Sequence, residues 1–223
     1  MVSAMTEHAA PLDPALAERL DRDGYLMLRG AFAGEVEAVR RAFDEGVLAS
    51  HLWPSPRGPD WRHALVDLDP TVRATCRAPA LIAAVRHRLT GPFFLTQVEG
   101  REPLMGGGHQ PLHRDGEPED TGRMVSALLY LDDYGPANGA TRVAAGSHRS
   151  RSEPDEGQAV VLQGVAGDIL VFDINLLHGA TRNVSGARRR SFLATYMVEA
   201  LEAQHAATRE LRGVRMSEVE WFA

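Results

Sequence analysis

Ser191-Phe192-Leu193-Ala194-Thr195-Tyr196-Met197-Val198 is a run rich in aromatic and β-compatible residues that reads as a strand. Successive side chains on a strand point to opposite faces. Continued back into the arginines that precede it, one face carries Arg189, Ser191, Leu193, Thr195 and Met197, and the other carries Arg190, Phe192, Ala194, Tyr196 and Val198. The second face suits packing against helices. The first is apolar but studded with a guanidinium and two hydroxyls, which suits the wall of a pocket that pairs with a carboxylate, because the planar guanidinium fork matches that group. Arg188 and Arg190 read as solvated charges at the strand end.

Upstream of this run the same texture recurs. Phe93–Val98, Met124–Leu131, Ala140–Ala144, Ala159–Leu162 and Ile169–Phe172 are short β-rich runs separated by Gly, Pro, Asn and Asp, a rhythm of antiparallel sandwich or jelly roll rather than of alternating βαβ units. The first third is different. Pro14–Asp23 reads as an amphipathic helix closed by Gly24, Tyr25–Leu28 as a short strand, Val36–Phe43 as a second helix, and Pro79–Leu89 as a third with Pro at its start. The Pro/Gly/Trp-rich stretch Trp53–Trp61 reads as loop. The expectation is one domain over residues 1–223, mainly β with flanking helices, in which helices at about 12–90 support a β core at about 92–200.

Composition narrows the chemistry. The 223 residues are 44% hydrophobic and 24% charged, the balance of a globular chain. Cys76 is the single cysteine, so an intramolecular disulfide and a cysteine-based zinc site are excluded, and any metal must be held by His and carboxylate. All 24 basic residues are Arg, which removes lysine amine chemistry. A net charge of −6 without a long basic block gives no sign of a nucleic-acid or anionic-membrane partner. Met1–Pro11 lacks the pattern of a secretory leader and no apolar run is long enough for a membrane span, so a cytoplasmic location is expected.

Nine histidines remain as candidate ligands. His113-Arg114-Asp115 is the one His-x-acid triplet, and about one such match is expected by chance, so its meaning comes from context. On an extended strand His113 and Asp115 would share a face and present an imidazole and a carboxylate to one ion. His178, after the apolar run Ile169–Phe172 and before the turn-rich Gly179–Gly186, is the best third ligand. Two imidazoles and one carboxylate form a facial triad that leaves positions open for small ligands and suits non-haem Fe(II).

Read together, His113-Arg114-Asp115, the segment Asn138–His148, Gly167–Asp173 leading to His178-Gly179-Ala180, and Asn183 to Arg189 resemble the phytanoyl-CoA dioxygenase-like branch of the Fe(II)/2-oxoglutarate-dependent oxygenases. The likeness runs from Asp23-Gly24-Tyr25 to about Val198. It implies a double-stranded β-helix (cupin-like jelly roll) with flanking helices, in which His113, Asp115 and His178 hold Fe(II), 2-oxoglutarate chelates the metal, and O₂ is the second cosubstrate. The spacing of eleven from His178 to Arg189 matches the family's cosubstrate arginine and singles out Arg189 from its neighbours. Ser126 falls where related enzymes place a hydroxyl that helps hold 2-oxoglutarate. Ala145 stands where the family usually has Pro, and His148 belongs to a scaffold turn. Because related halogenases lack the ligand carboxylate, Asp115 speaks against halogenation. The implied activity is oxidation, most simply hydroxylation, of an unactivated C–H bond in a small or medium-sized metabolite, with natural-product tailoring one setting. Desaturation, epimerisation or cyclisation would use the same residues, and a non-catalytic jelly-roll binding module is the competing class.

Other residues are expected around a substrate pocket: Gln97, Arg101, His109, Gln110 and Arg142. Gly106-Gly107-Gly108 reads as a lid or turn, Trp53 and Trp61 as loop residues that could cover the site, and Asn183-Val184-Ser185 as an incidental sequon.

Overall fold

In the computed structural model, which describes residues 10–52, 58, 60–64, 69–151, 155–211 and 220–222, the first helix, α1, spans Pro14–Asp23. Its limits have local causes. The Asp13 carboxylate accepts from Ala15 N and Leu16 N, Pro14 opens the helix, and Gly24, with φ of 79°, closes it by donating its N–H to Leu20 O. The strand β1 (Tyr25–Leu28) follows at once, then α2 (Val36–Gly46), β2 (Val47–Ala49), β3 (Trp61–Ala64), α3 (Pro70–Thr75) and α4 (Pro79–Arg88). Trp53 lies outside the described residues, and Trp61 opens β3 rather than ending a loop.

The remaining elements are β4 (Phe93–Arg101), β5 (Gln110–His113), β6 (Met124–Tyr130), β7 (Thr141–Val143), β8 (Val160–Val161), β9 (Ile169–Asp173), β10 (His178–Ala180), β11 (Ser191–Val198), α5 (Glu202–Thr208) and β12 (Glu220–Phe222). They form two antiparallel sheets. The larger runs β1-β9-β6-β11-β4-β3-β2 with β12 also on β4, and the smaller runs β5-β10-β7-β8. The expected mainly-β architecture with flanking helices is present, and the sheets curl over each other as in a jelly roll.

The two faces of the large sheet separate as alternation requires. Val125, Ala127, Leu129, Ile169, Val171, Phe192, Ala194 and Tyr196 pack with Leu20, Val39, Phe43 and Leu81 from the helices. Leu128, Tyr130, Leu170 and Phe172 point the other way and pack with Ala140, Val143 and Leu176. One irregularity matters for the site. Opposite β11, Thr195 pairs with Gln97 but Tyr196 pairs with Leu95, so Thr96 is an extra residue in β4. Its hydroxyl donates to Thr195 O at 3.0 Å. Before this bulge Phe93 and Leu95 face the helices; after it Val98 does, and Gln97, Glu99 and Arg101 turn inward.

Arg190 is a correction to the reading of a solvated strand end. It is buried and grips Asp132 with both edges of the guanidinium, Nε to Oδ2 at 2.9 Å and Nη2 to Oδ1 at 2.7 Å, while Nη1 reaches Asp44 at 2.8 Å. Arg188 is half exposed and pairs with Glu102 and Asp44. Asn183 is likewise buried, its amide donating to Pro103 O and Ala187 O, so the sequon is a loop staple. The glycine turn is tied down by Leu104 N and Gly108 N on the Asp60 carboxylate and by Gly106 N on Asn183 O. Among the described residues no helix is long and apolar enough to cross a membrane.

Removing Asp132 leaves Arg190 buried without its main partner. Asp132→Ala is expected to cost about 3–5 kcal/mol in urea denaturation at neutral pH. Burial opposes ionisation of Asp132, but bonds and charge from Arg190, aided by Arg40, outweigh it and hold the carboxyl below its ordinary 3.8. The stabilisation is therefore complete above that pH and is lost as the pH falls through the lower folded value, so the gap between wild type and variant should narrow in acid. A gap below about 1 kcal/mol at neutral pH would contradict the assignment.

Candidate metal centre

The edge strand β5 pairs with β10, and the register places His113 directly opposite His178. The imidazole centroids lie 4.5 Å apart. Each ring is fixed the same way: His113 Nδ1 lies 2.9 Å from Pro111 O, and His178 Nδ1 lies 3.0 Å from Leu176 O. A carbonyl can only accept, so Nδ1 carries a proton and Nε2 is the nitrogen turned to the interior, a donor to a carboxylate while protonated and a free lone pair for an ion once that proton leaves. Both Nε2 atoms face Asp115, at 3.5 Å from Oδ1 and 3.4 Å from Oδ2. One donor atom from each of the three residues lies within 4.8 Å of the others.

Asp115 reaches this position by a route different from the one expected. The strand ends at His113, and Asp115 sits in the bend beyond it. Arg114 turns the chain by donating to Asn175 O, Ser147 O and Ser150 O, and Asp115 N bonds Ile174 O at 3.2 Å. Burial disfavours the Asp115 anion, but hydrogen bonds and charge from His113 and His178 prevail and hold its carboxyl well below the usual range. The bond to Asp115 in turn raises His113 above its ordinary value. Two imidazoles clustered on one carboxylate are donors for a cation, which would take the place of a shared proton.

These residues line a cavity of about 460 Å³ between the sheets. From the large sheet come Gln97, Glu99, Arg101, Ser126, Leu128, Phe172, Leu193, Thr195 and Met197, together with Arg189 just before β11; from the small sheet come Gln110, Thr141 and Gly179. Thus Gln97, Arg101, Gln110, Ser126 and Arg189 are brought together with the triad. His109 is exposed and lies outside the lining residues. Arg142 lies outside them too, its guanidinium donating to Glu156 and to Gln110 O, a clamp between β7 and β5.

Arg189 is 1% exposed, its Nη1 donating to Gly139 O at 2.7 Å, and its guanidinium carbon lies 4.6 Å from the centre of the Tyr134 ring. Among the described residues no carboxylate is paired with it. Arg189 Nε is buried without a hydrogen-bond partner among the described residues, while the Tyr134 hydroxyl faces Ser191 and the Tyr130 hydroxyl faces Thr141. A buried guanidinium donor left unmade costs free energy, and an anion reaching Arg189 from the cavity would satisfy it. A metal-binding donor set and a cationic nest for a carboxylate therefore share one chamber, which fits a divalent metal together with a dicarboxylate. Tyr134 carries no signal in the sequence, since it lies past the end of β6. Its place depends on the stack with Tyr130, centroids 3.6 Å apart, and on Gly164, where a Cβ would come within 2.6 Å of the Tyr130 ring. Also unforeseen is α5, which brings Gln204, His205 and Thr208 to the cavity; the helix propensity of its three alanines is the one local signal for it.

The sequence profile of the family described as Phytanoyl-CoA dioxygenase (PhyH) matches residues 20–191. The chain belongs to the phytanoyl-CoA dioxygenase family. Among curated relatives, the iron/alpha-ketoglutarate-dependent dioxygenase ausU of Aspergillus calidoustus is 33% identical over 156 residues, 63% of this chain and 50% of that protein. Ectoine dioxygenase of Sphingopyxis alaskensis is 26% identical across 84% of this chain and 76% of that protein. The chain spans about half the length, or less, of the first curated relatives it matches. Among solved structures, HygX of Streptomyces hygroscopicus with nickel and 2-oxoglutarate bound superposes with a TM-score of 0.73 at 20% identity, over 84% of this chain and 88% of that one. The epimerase SnoN, in complex with Fe3+, alpha ketoglutarate and nogalamycin RO, gives 0.67 at 25% identity over 83% and 85%. The fold is thus the jelly-roll core of the 2-oxoglutarate oxygenases.

Within this phytanoyl-CoA dioxygenase family domain, one glycine is dictated by the ladder. His178 pairs with His113 and Ala180 with Gln110, so Gly179 alone opposes Pro111 and Leu112, and a Cβ there would lie 2.5 Å from Gln110 O and 2.9 Å from Pro111 O. Gly179→Ala is expected to push β5 away from β10 at a cost of about 1–3 kcal/mol in chemical denaturation. Unchanged stability would show that β5 yields freely.

Proposed function

We propose that this protein is an Fe(II)- and 2-oxoglutarate-dependent oxygenase that oxidises a C–H bond, most simply by hydroxylation, of a small or medium-sized metabolite. The observation that carries the reading is the conjunction in one cavity of the His113/Asp115/His178 donor set with the buried Arg189, which no carboxylate among the described residues pairs. When bound, iron and 2-oxoglutarate supply the oxidising power, O₂ being consumed as the cosubstrate loses CO₂ to become succinate and one oxygen atom passes to the substrate.

The chain's own residues supply geometry and dryness. The backbone bonds at Pro111 O and Leu176 O present both Nε2 lone pairs, and Asp115 adds an anionic oxygen. Arg189, backed by the Tyr134 ring, pairs with the far carboxylate of 2-oxoglutarate, and Ser126 offers a further hydroxyl. Leu128, Leu193, Met124 and Met197 exclude water. Gln97, Arg101 and Gln110, which Arg101 contacts through Oε1, orient substrate or cosubstrate by their polar ends. The likeness to HygX with hygromycin B bound and to SnoN from nogalamycin biosynthesis supports a secondary metabolite as substrate. Where the substrate carbon sits decides between hydroxylation and epimerisation.

The test is succinate release from 2-oxoglutarate under O₂. Wild type is expected to form succinate only with Fe(II), and His178→Ala and Asp115→Ala to form none; a fully active variant removes that residue from the triad. Arg189→Ala should weaken 2-oxoglutarate binding by about 2–5 kcal/mol while leaving uptake of the metal alone intact. Wild-type cosubstrate affinity in that variant would remove Arg189 from the cosubstrate site.

A further inference from the structure

The ladder between β5 and β10 fixes His113 and His178, but Asp115 lies outside it, so its carboxylate depends on how the bend at 114–121 is tied to the body. Besides the Arg114 Nη2 bonds to Ser147 O and Ser150 O, four hydrogen bonds tie the bend to the connection between β9 and β10. Asp115 N donates to Ile174 O at 3.2 Å, and Arg114 Nε to Asn175 O at 3.0 Å. The far end of the bend is held by the Asn175 side chain, whose Nδ2 donates to Glu117 O at 3.1 Å and to Thr121 Oγ1 at 2.8 Å. In between, Gly116 packs so closely that a Cβ would lie 2.7 Å from Ile174 Cγ2 and 3.3 Å from Asn175 Oδ1.

Asn175 is built as an anchor. It is 1% exposed, its N–H donates to Asp173 Oδ1 at 2.8 Å, and Asp173 is in turn paired with Arg88. Its amide can face only one way, because the Glu117 carbonyl must accept and Arg151, 3.4 Å from Oδ1, must donate. Three residues further on stands His178.

We propose that Asn175 is a positioning residue of the metal centre: its carboxamide clamps the bend that carries Asp115 to the connection that leads into His178, so that the carboxylate and both imidazoles reach one ion together. The inference rests on the iron/2-oxoglutarate reading and extends it to a residue outside the three donors. Without the carboxamide the far end of the bend loses its bonds from Glu117 O and Thr121 Oγ1 to the β9–β10 connection. The Asp115 carboxylate then samples positions away from the imidazoles, and affinity is lost in the ion rather than only in the fold.

The probe is Co(II) alone, titrated into the full chain without 2-oxoglutarate and followed by its visible ligand-field absorption, with circular dichroism reporting that the variant is folded. Asn175→Ala is expected to bind Co(II) about ten- to a hundredfold more weakly and to show a shifted band at saturation. Asn175→Asp, which sets an acceptor against the Glu117 carbonyl, should do the same. Thr121→Val, at an exposed position, removes one of the two bonds and should weaken binding about two- to tenfold. If Asn175→Ala does not fold, Thr121→Val decides alone. Folded variants with wild-type Co(II) affinity and spectrum would overturn the assignment. Failure of the wild type itself to take up Co(II) would instead overturn the metal reading on which it rests.

Discussion

The register that sets His113 opposite His178 is the constraint around which the rest of the molecule is arranged. On adjacent strands of one sheet, two imidazoles meet at one ion when they stand opposite each other and leave the same face. A slip of one residue would send one ring to the other side of the small sheet. The chain guards this register in three ways. Gly179 lets β5 approach β10, Arg142 ties β7 to Gln110 O, and main-chain carbonyls at Pro111 and Leu176 set the two rings.

A second register does comparable work in the large sheet. The extra residue Thr96 splits β4 into a half that serves the helical core and a half that serves the cavity. Without it, either Phe93 and Leu95 or Gln97, Glu99 and Arg101 would be on the wrong side. The polar lining of the site and the hydrophobic attachment of the helices are therefore compatible on one strand only because of this bulge. The surroundings of Arg189 show the complementary principle: a buried cation is tolerated when an aromatic face backs it and a backbone carbonyl accepts from it.

Much of this was legible along the chain because it is local. Asp13, Pro14 and Gly24 set the limits of α1, and strict alternation over Ser191–Val198 separated core from cavity and put Arg189 on the cavity side. What escaped the sequence depends on long-range partners. Arg190 was legible as a charge at a strand end but not as the buried partner of Asp132, 58 residues away. Arg142 has the chemistry of a pocket residue and serves as a clamp, because Glu156 and Gln110 O happen to meet it. Asp115 lies in a bend held by the β9–β10 connection rather than on a strand with His113, and tertiary packing alone sets Tyr134 behind Arg189 and brings α5 to the cavity.

On the proposed function, one cavity receives a metal and a dicarboxylate together. Anaerobic titration of the protein with Fe(II) and then 2-oxoglutarate, followed by absorption spectroscopy, tests this most directly. A visible charge-transfer band that appears only when both are present, and saturates at one equivalent of iron per chain, is the predicted result. Absence of the band with folded protein at saturating concentrations of both would contradict the account.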